Sequence, residues 1–569
     1  MTFCSSFTRI ILIGVLMPCI TCGYACNFST PEVFCDDIII IDREYDLGGE
    51  EIIFPPNSKL VFKKYGKIKN GKLVGNNTTI YSSCRVIFDK DIVFAGTFSS
   101  AMEYEWLYES SCRIVKKQIY VYNDVYNVKT AEGINQWDNL KDAFKRIIGH
   151  FSELHFNREY VLDNPKGKDC TESNRLVIES RVEGLKIRGG CFHNAGLSFI
   201  NWHDVEFDGL KFYGKYYDYD KRTLSLKWSE LTKENGQQLN YCSVGLSLTS
   251  PENLDIVNTK AYIHDVETDC CYNGIYIGRW SGKNNELVSV KDVVVKNCKA
   301  NNSFYHGFAS VNCDGVNFNR CDTKNTYLGM LVDVSHGCRN VHFSKGKGRG
   351  LGTPFKIQGN PIFPHNSNCS ITNCEAIVER VVEMDDFLVQ CISMSGEGKV
   401  VISDNTLRFI GNSGNTMLNL CEFYNGELDF CNNKIYGLDA SAFVRVTLSE
   451  HVVINANTTK IRVCNNYIKT KNINGDPKPL YFIIFDEKSG IDIHRVNICA
   501  EICDNYVKVN DKLYKALYLL RSQGKNGKCF IGNLIFRRNR LFANTINAEE
   551  DCLKESHVYV DSDVQLDKK

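Results

Sequence analysis

What this sequence lacks is the first guide to it. Proline is scarce, at 11 in 569 residues, which excludes a proline-rich linker protein. An excess of charge of one sign is also absent: 67 Lys and Arg balance 67 Asp and Glu. Nothing therefore pulls the whole chain towards nucleic acid or an anionic membrane. Beyond the first residues no apolar run is long enough to cross a bilayer uninterrupted by charge, so no membrane span is expected. There is no calcium loop and no HExxH metal helix, and "GKGRG" (346–350) lacks the Lys-Ser/Thr ending of a phosphate loop. The basic run "RRNR" (537–540) sits in a strand-and-corner repeat and reads as a solvated edge, not a nucleic-acid patch. No cofactor is called for. Calcium bridged by scattered Asp and Asn side chains is the one metal reading left open.

What is there begins with an export-like leader. Arg9 precedes the apolar run "IILIGVLMPCI", and "GYA" puts small residues before a cut, so residues 1–25 read as a signal peptide. The mature chain is expected to be periplasmic, secreted or at the cell surface, and monomeric. A lipid anchor at Cys19, Cys22 or Cys26 is the alternative. Of 26 cysteines, three lie in this leader; the others are scattered through apolar segments without the spacing of a zinc site. They are expected to be buried thiols that pack as small hydrophobes.

Asn70-Gly71, between Ile68 and Leu73, is the strongest short-range signal for a two-residue hairpin. Elsewhere the chain reads as a winding. "VVVKNC" (293–298), "VNFNRC" (316–321), "VHFSKG" (341–346), "CSITNC" (369–374) and "VVISDN" (400–405) share one pattern. It continues in "LDFCNN" (428–433), "IRVCNN" (461–466), "AEICDN" (500–505) and "LIFRRN" (534–539). Their ends are 23, 25, 28, 31, 28, 33, 39 and 34 residues apart, with weaker copies at 185–190, 205–210 and 254–259. A period of that length marks a solenoid, and the period-two alternation of apolar residues makes its unit a strand. Windings stack about 4.8 Å apart, so Asn amides at equivalent corners can hydrogen-bond in a ladder, with neighbouring Cys stacking inside. Asn70-Gly71 is left as a local hairpin in a small module.

A second strand family opens on Gly or Pro: "GIYIGRW" (274–280), "GFASVNC" (307–313), "GMLVDVS" (329–335) and "PFKIQGN" (354–360). The two families together resemble the right-handed parallel β-helix proteins of the pectate-lyase-like superfamily that polysaccharide-degrading bacteria export. "FPPNSKLVFKKYGKIKNGKLVGNNTTI" resembles the N-terminal module such proteins carry. The resemblance implies an all-β fold: a β-rich module over 26–115, then a parallel β-helix over 116–569. The stripe Trp137, Leu140, Phe144, Ile147, Ile148 and Phe151 predicts a capping helix near 137–151.

The resemblance further implies a substrate lying along the outward face of one parallel sheet. Counting from the aligned Gly or Pro puts Tyr276, Ala309, Leu331 and Lys356 outward at one step, and Gly278, Val311, Asp333 and Gln358 at the next outward step. Asp333 and Lys356 then lie one winding apart and two residues offset, roughly 8 Å between backbones. Lys356 beside Asp333 suits a general base, Arg279 a counter-charge for a uronate, and His306 a proton donor or acceptor. The same Lys and Asp would also make an ordinary ion pair. Tyr216, Tyr217, Tyr219 and Trp228 in the insertion 215–241 are candidate plates for sugar faces, or a loop folded on its own aromatics. Hydrolysis needs two carboxylates at a set separation. Asp386, near Asp385, falls roughly 17 Å from Asp333 along the sheet, which is too far. The polygalacturonase-type pattern of spaced Asp, "GHG" and "RIK" is missing. The expectation is thus a protein acting on an acidic or complex polysaccharide, by β-elimination before hydrolysis; the alternative is a non-catalytic polysaccharide-binding or surface protein.

Overall fold

In the computed structural model the chain winds. The structure describes residues 11–12, 38–121, 124–165, 175–215, 217–219, 223–224, 244–250, 256–279, 288, 290–326, 329–335, 337–350, 353–358, 368–379, 392–394, 399–410, 417–423, 427–438, 440–449, 459–470, 478–488, 498–508, 514–523, 533–542, 546–547 and 557–561. A typical winding contributes three strands, such as Val290–Lys296, Lys299–Asn301 and His306–Val311. Each pairs in parallel with its counterpart one winding on. The strands of the Gly/Pro family line up as a 13-stranded parallel sheet among the described residues. This is an all-β parallel β-helix.

Its interior is built by like stacking on like. One inward row runs Val295, Phe318, Phe343, Ile371, Ile402, Phe430, Val463, Ile502 and Phe536, each the register partner of the next. All are buried, and each such side chain contributes about 1.5–3 kcal/mol relative to exposure.

The nine repeat segments all end on the same corner. Their penultimate residues, among them Asn297, Asn373, Asn432 and Asn465, adopt the left-handed conformation (φ 54, 56, 59 and 54°), which Asn tolerates better than most residues. The final residue then turns inward. Where it is Asn405, Asn433, Asn466, Asn505 and Asn539, each Nδ2 donates to the next Oδ1 at 2.9–3.1 Å. Each Nδ2 also donates to a backbone carbonyl, as Asn466 does to Phe430 O at 2.9 Å. Backbone N–H groups complete the ladder, Asn466 N donating to Asn505 Oδ1 at 3.0 Å. The copy read at 254–259 is misplaced. Residues 251–255 lie outside the described residues, and the stacking segment is Ala261–Val266, with Asp265 left-handed (φ 56°) and Val266 buried.

The corner cysteines of the repeat segments occupy two different places. Cys298, Cys321 and Cys374 take the inward corner position, as expected. Cys431, Cys464 and Cys503 instead precede the left-handed residue and form a small cluster apart from the main core. Among the described residues no two cysteines form a disulfide.

The Asn70-Gly71 hairpin does not form. Ile68 pairs in parallel with Tyr45, and Leu73 pairs in parallel with both Ile52 and Phe94. Asn70 is a left-handed corner (φ 53°), its side chain held by Asp46 at 3.1 Å. Residues 38–98 are therefore windings too, and they continue into the main coil. Phe98 bridges to Phe151, their rings stacked at 4.7 Å, and Met102–Glu103 pairs with Leu154-His155. The chain does build one long antiparallel hairpin, Cys112–Val121 with Asp124–Gly133, that the sequence reading did not find. The helix is Trp137–Ile147, which stops short of Phe151 at Gly149 (φ 82°). It wedges against Ile92–Phe98 on one side and against Arg175–Ile178, the first strand of the 13-stranded sheet, on the other. Phe144 meets Phe199 edge-on at 5.4 Å.

Two outcomes follow. Asn466→Ala strips one rung and leaves buried partners unmet, so denaturant unfolding should show a loss of about 1–3 kcal/mol. Asn465→Gly, at the exposed left-handed corner, should change stability by less than about 0.5 kcal/mol. Thiol titration of the unfolded chain should give nearly the same count before and after reduction; nearly complete oxidation would overturn the thiol assignment.

Candidate functional site

The candidate site lies on the outward face of the 13-stranded sheet, and the register there corrects the sequence alignment. Gly329 pairs with Thr353, not with Pro354, and one extra residue bulges before Val332 pairs with Phe355. Asp333 therefore sits directly opposite Lys356, with no offset, about 4.8 Å apart at the backbone. The outward row is Tyr276, Ala309, Asp333 and Lys356. Leu331, expected to face out, is fully buried and packs over Gly348.

His306 opens its strand, its backbone N–H donating to Asn273 Oδ1 at 3.2 Å. Its ring is 2% exposed, and Nε2 lies 3.0 Å from Asp333 Oδ2 without the alignment of a hydrogen bond. Asp333 is 5% exposed and accepts from the Ser335 hydroxyl at 2.6 Å. Burial opposes ionisation of Asp333, but the His306 ring, the Lys356 charge and the Ser335 hydroxyl outweigh it and hold the carboxyl well below the usual range. Burial likewise holds His306 below the ordinary imidazole range, against the pull of Asp333. Neither group is reachable by a polymer in solution. Lys356 is half-buried and its Nζ sits 5.6 Å from the Tyr305 ring centroid. Tyr305 stacks on Tyr272 of the previous winding at 5.4 Å and 12°.

Three of the four expected catalytic residues thus meet: Lys356, Asp333 and His306. Arg279 does not join them. Its Nη1 turns to Ser250 O at 3.5 Å, one winding earlier, whereas Asp333 is two windings later. Tyr276 keeps its place in the outward row. Gln358 pairs with Ser335 in register, but its side chain lies outside the described residues, as do Tyr216, Trp228, Asp385 and Asp386. Tyr217 is buried, stacked on Tyr213 at 4.6 Å and edge-on to Tyr219 at 4.9 Å, so it offers no open face to a sugar. Sequence reasoning missed Tyr272 and Tyr305, although both stand two residues before an aligned glycine (Gly274 and Gly307). It also missed Ser335, although it stands two residues from Asp333 on the same strand.

No protein-family model matches the chain, and no curated protein matches it. Some solved structures overlay on parts of it. A DFA-IIIase from Arthrobacter chlorophenolicus A6 in complex with GF2 shares 11% identity over 53% of this chain and 86% of its own, at a TM-score of 0.33. The catalytic domain of a GH87 α-1,3-glucanase shares 13% over 70% of this chain and 69% of its own, at 0.37. The Streptococcus pneumoniae surface protein and adhesin PfbA shares 9% over 86% and 92%, at 0.28. Likeness this slight carries no argument about fold or function; the fold rests on the strand pairing above.

The Asp333 shift has a sign that can be checked. A carboxyl held low when folded stabilises the fold above its unfolded pKa of about 3.9 and loses that contribution as pH falls towards the folded value. The stability difference between wild type and Asp333→Asn should be constant above about pH 5 and shrink below it, measured by denaturant unfolding across pH.

Proposed function

We propose that this chain is an exported carbohydrate-active protein that cleaves an acidic polysaccharide by β-elimination on the outward face of the 13-stranded sheet. The observation that carries the reading is the outward row itself, in which Lys356 stands half-exposed beside a buried carboxylate and a tyrosine plate. In this reading Lys356, once it has given its own proton to water, takes the proton α to a uronate carboxylate. The electron pair left behind forms the C=C bond as the C–O bond to the next sugar breaks, and the leaving oxygen takes a proton from water. Asp333 and His306 are positioning residues, fixed by Ser335 and Asn273, and Tyr305 offers its ring to a sugar face. Elimination is preferred to hydrolysis on distance. Along the row from Asp333, through Lys356 and Ser393, the next acidic residue in backbone register is Glu422. That is three windings, roughly 14 Å, beyond the span of a hydrolytic pair.

One observation favours a second reading. With Arg279 turned to Ser250, the substrate carboxylate has lost the cation expected beside it. Lys356 would then serve as that cation, and the face would bind an acidic saccharide without cleaving it.

Incubation with a panel of acidic and neutral polysaccharides separates the two. Rising ultraviolet absorbance of an unsaturated uronate is the expected result; saturable binding with neither new absorbance nor reducing ends selects the second reading. For a substrate found this way, Lys356→Ala should lower kcat/KM about 100- to 10,000-fold. Circular dichroism should show the variant still folded, with a lower melting temperature because it removes a charge that offsets the burial of Asp333. A wild-type rate in that variant removes Lys356 from the mechanism.

A further inference from the structure

Far from Lys356 in sequence, the long hairpin Cys112–Gly133 leans over the first windings of the main coil and walls a cavity of roughly 750 Å³. Cys112 lines that cavity, together with Asp163 and the buried Asn194. Just beside it three different donor types converge: Cys112 Sγ, a Glu159 carboxylate oxygen and a His193 ring nitrogen lie within 4.8 Å of one another.

His193 is the informative member. It is 1% exposed, and its ring stacks on Tyr213 at 5.6 Å and 19°. The Tyr219 hydroxyl hydrogen-bonds Nδ1, while Nε2 has no hydrogen-bond partner although Glu159 Oε2 is 3.4 Å away. If Nδ1–H donates to the tyrosine oxygen, Nε2 turns a bare lone pair towards a carboxylate. Two such groups repel unless a proton or a cation lies between them. Two N or O ligands held 2.0–2.2 Å from a tetrahedral ion sit roughly 3.3–3.6 Å apart, which is the separation found here.

We propose that Cys112, Glu159 and His193 form a binding site for a zinc-class divalent transition metal, with its fourth position open to the hairpin cavity. The donor set excludes calcium, which takes oxygen ligands, and suits a borderline-soft ion. Three protein ligands and one open position is the arrangement of a reactive rather than a structural zinc site. Tyr219 orients the imidazole as an outer partner. Two other clusters hold comparable residues and are weaker. In Cys464, Glu501 and Cys503, the carboxylate is already held by Arg537 at 2.7 Å. In Glu206, Asp208 and His264, both ring nitrogens contact carboxylates and Arg188 pairs with both acids.

The test is cobalt titration of the full chain after chelator treatment. One equivalent should bind with a thiolate-to-cobalt charge-transfer band, and zinc should displace it. Cys112→Ser, at a half-buried hairpin position, should abolish the band, and Glu159→Gln, at an exposed side chain, should weaken binding; unchanged circular dichroism shows that both still fold. Tyr219→Phe should weaken cobalt about 10- to 100-fold. Cys464→Ser should change nothing. Absence of saturable binding, a band that survives Cys112→Ser, or a band lost in Cys464→Ser would each overturn the proposal.

Discussion

In a parallel coil every residue meets its own equivalent in the next winding about 4.8 Å away, and the rest of this structure depends on that spacing. Apolar residues accept it readily, since Phe on Phe and Val on Ile fill the interior. Polar residues accept it only if they can bond to copies of themselves. An amide can, because it donates and accepts along the same line; a carboxylate or an ammonium cannot. The buried corner from Asn405 to Asn539 is therefore built of one residue type repeated, each rung satisfying the next and one backbone carbonyl. A carboxylate at any rung would put two acceptors face to face in a place without water.

The same spacing governs the outer faces. There, charged rows survive by alternating sign: Lys460 over Glu427 and Arg538 over Asp504. These are exposed pairs and contribute little each. Asp333 departs from that pattern, because it is buried, needs the Ser335 hydroxyl and sits against an imidazole. A coil that could have stacked Ser or Ala there carries a buried charge instead, and buried charge set beside a reachable lysine is what separates this stretch from ordinary ladder chemistry. The hairpin cluster departs in another way. Its residues come from a projecting strand, two windings and a loop, so no row explains their meeting.

Sequence by itself determined the coil. The apolar alternation and the corner residue recur in every winding because each winding solves the same local problem, so nine corners could be placed from the pattern alone. That pattern also misled where it was weakest: at 254–259 an alternating stretch imitated a repeat, and at Asn70-Gly71 a left-handed corner imitated a hairpin, since both need the same backbone conformation. Tertiary structure alone decided what faces what across windings. Register depends on which corners stack and on where a residue bulges, and one bulge before Val332 moved Asp333 from an offset neighbour of Lys356 to its direct partner. Arg279 turned away and Tyr217 folded inward through side-chain directions that spacing does not encode. Cys112, Glu159, His193 and Tyr219 were invisible as a group because they belong to no repeat; only the folding of a hairpin over the coil brings their atoms within bonding reach.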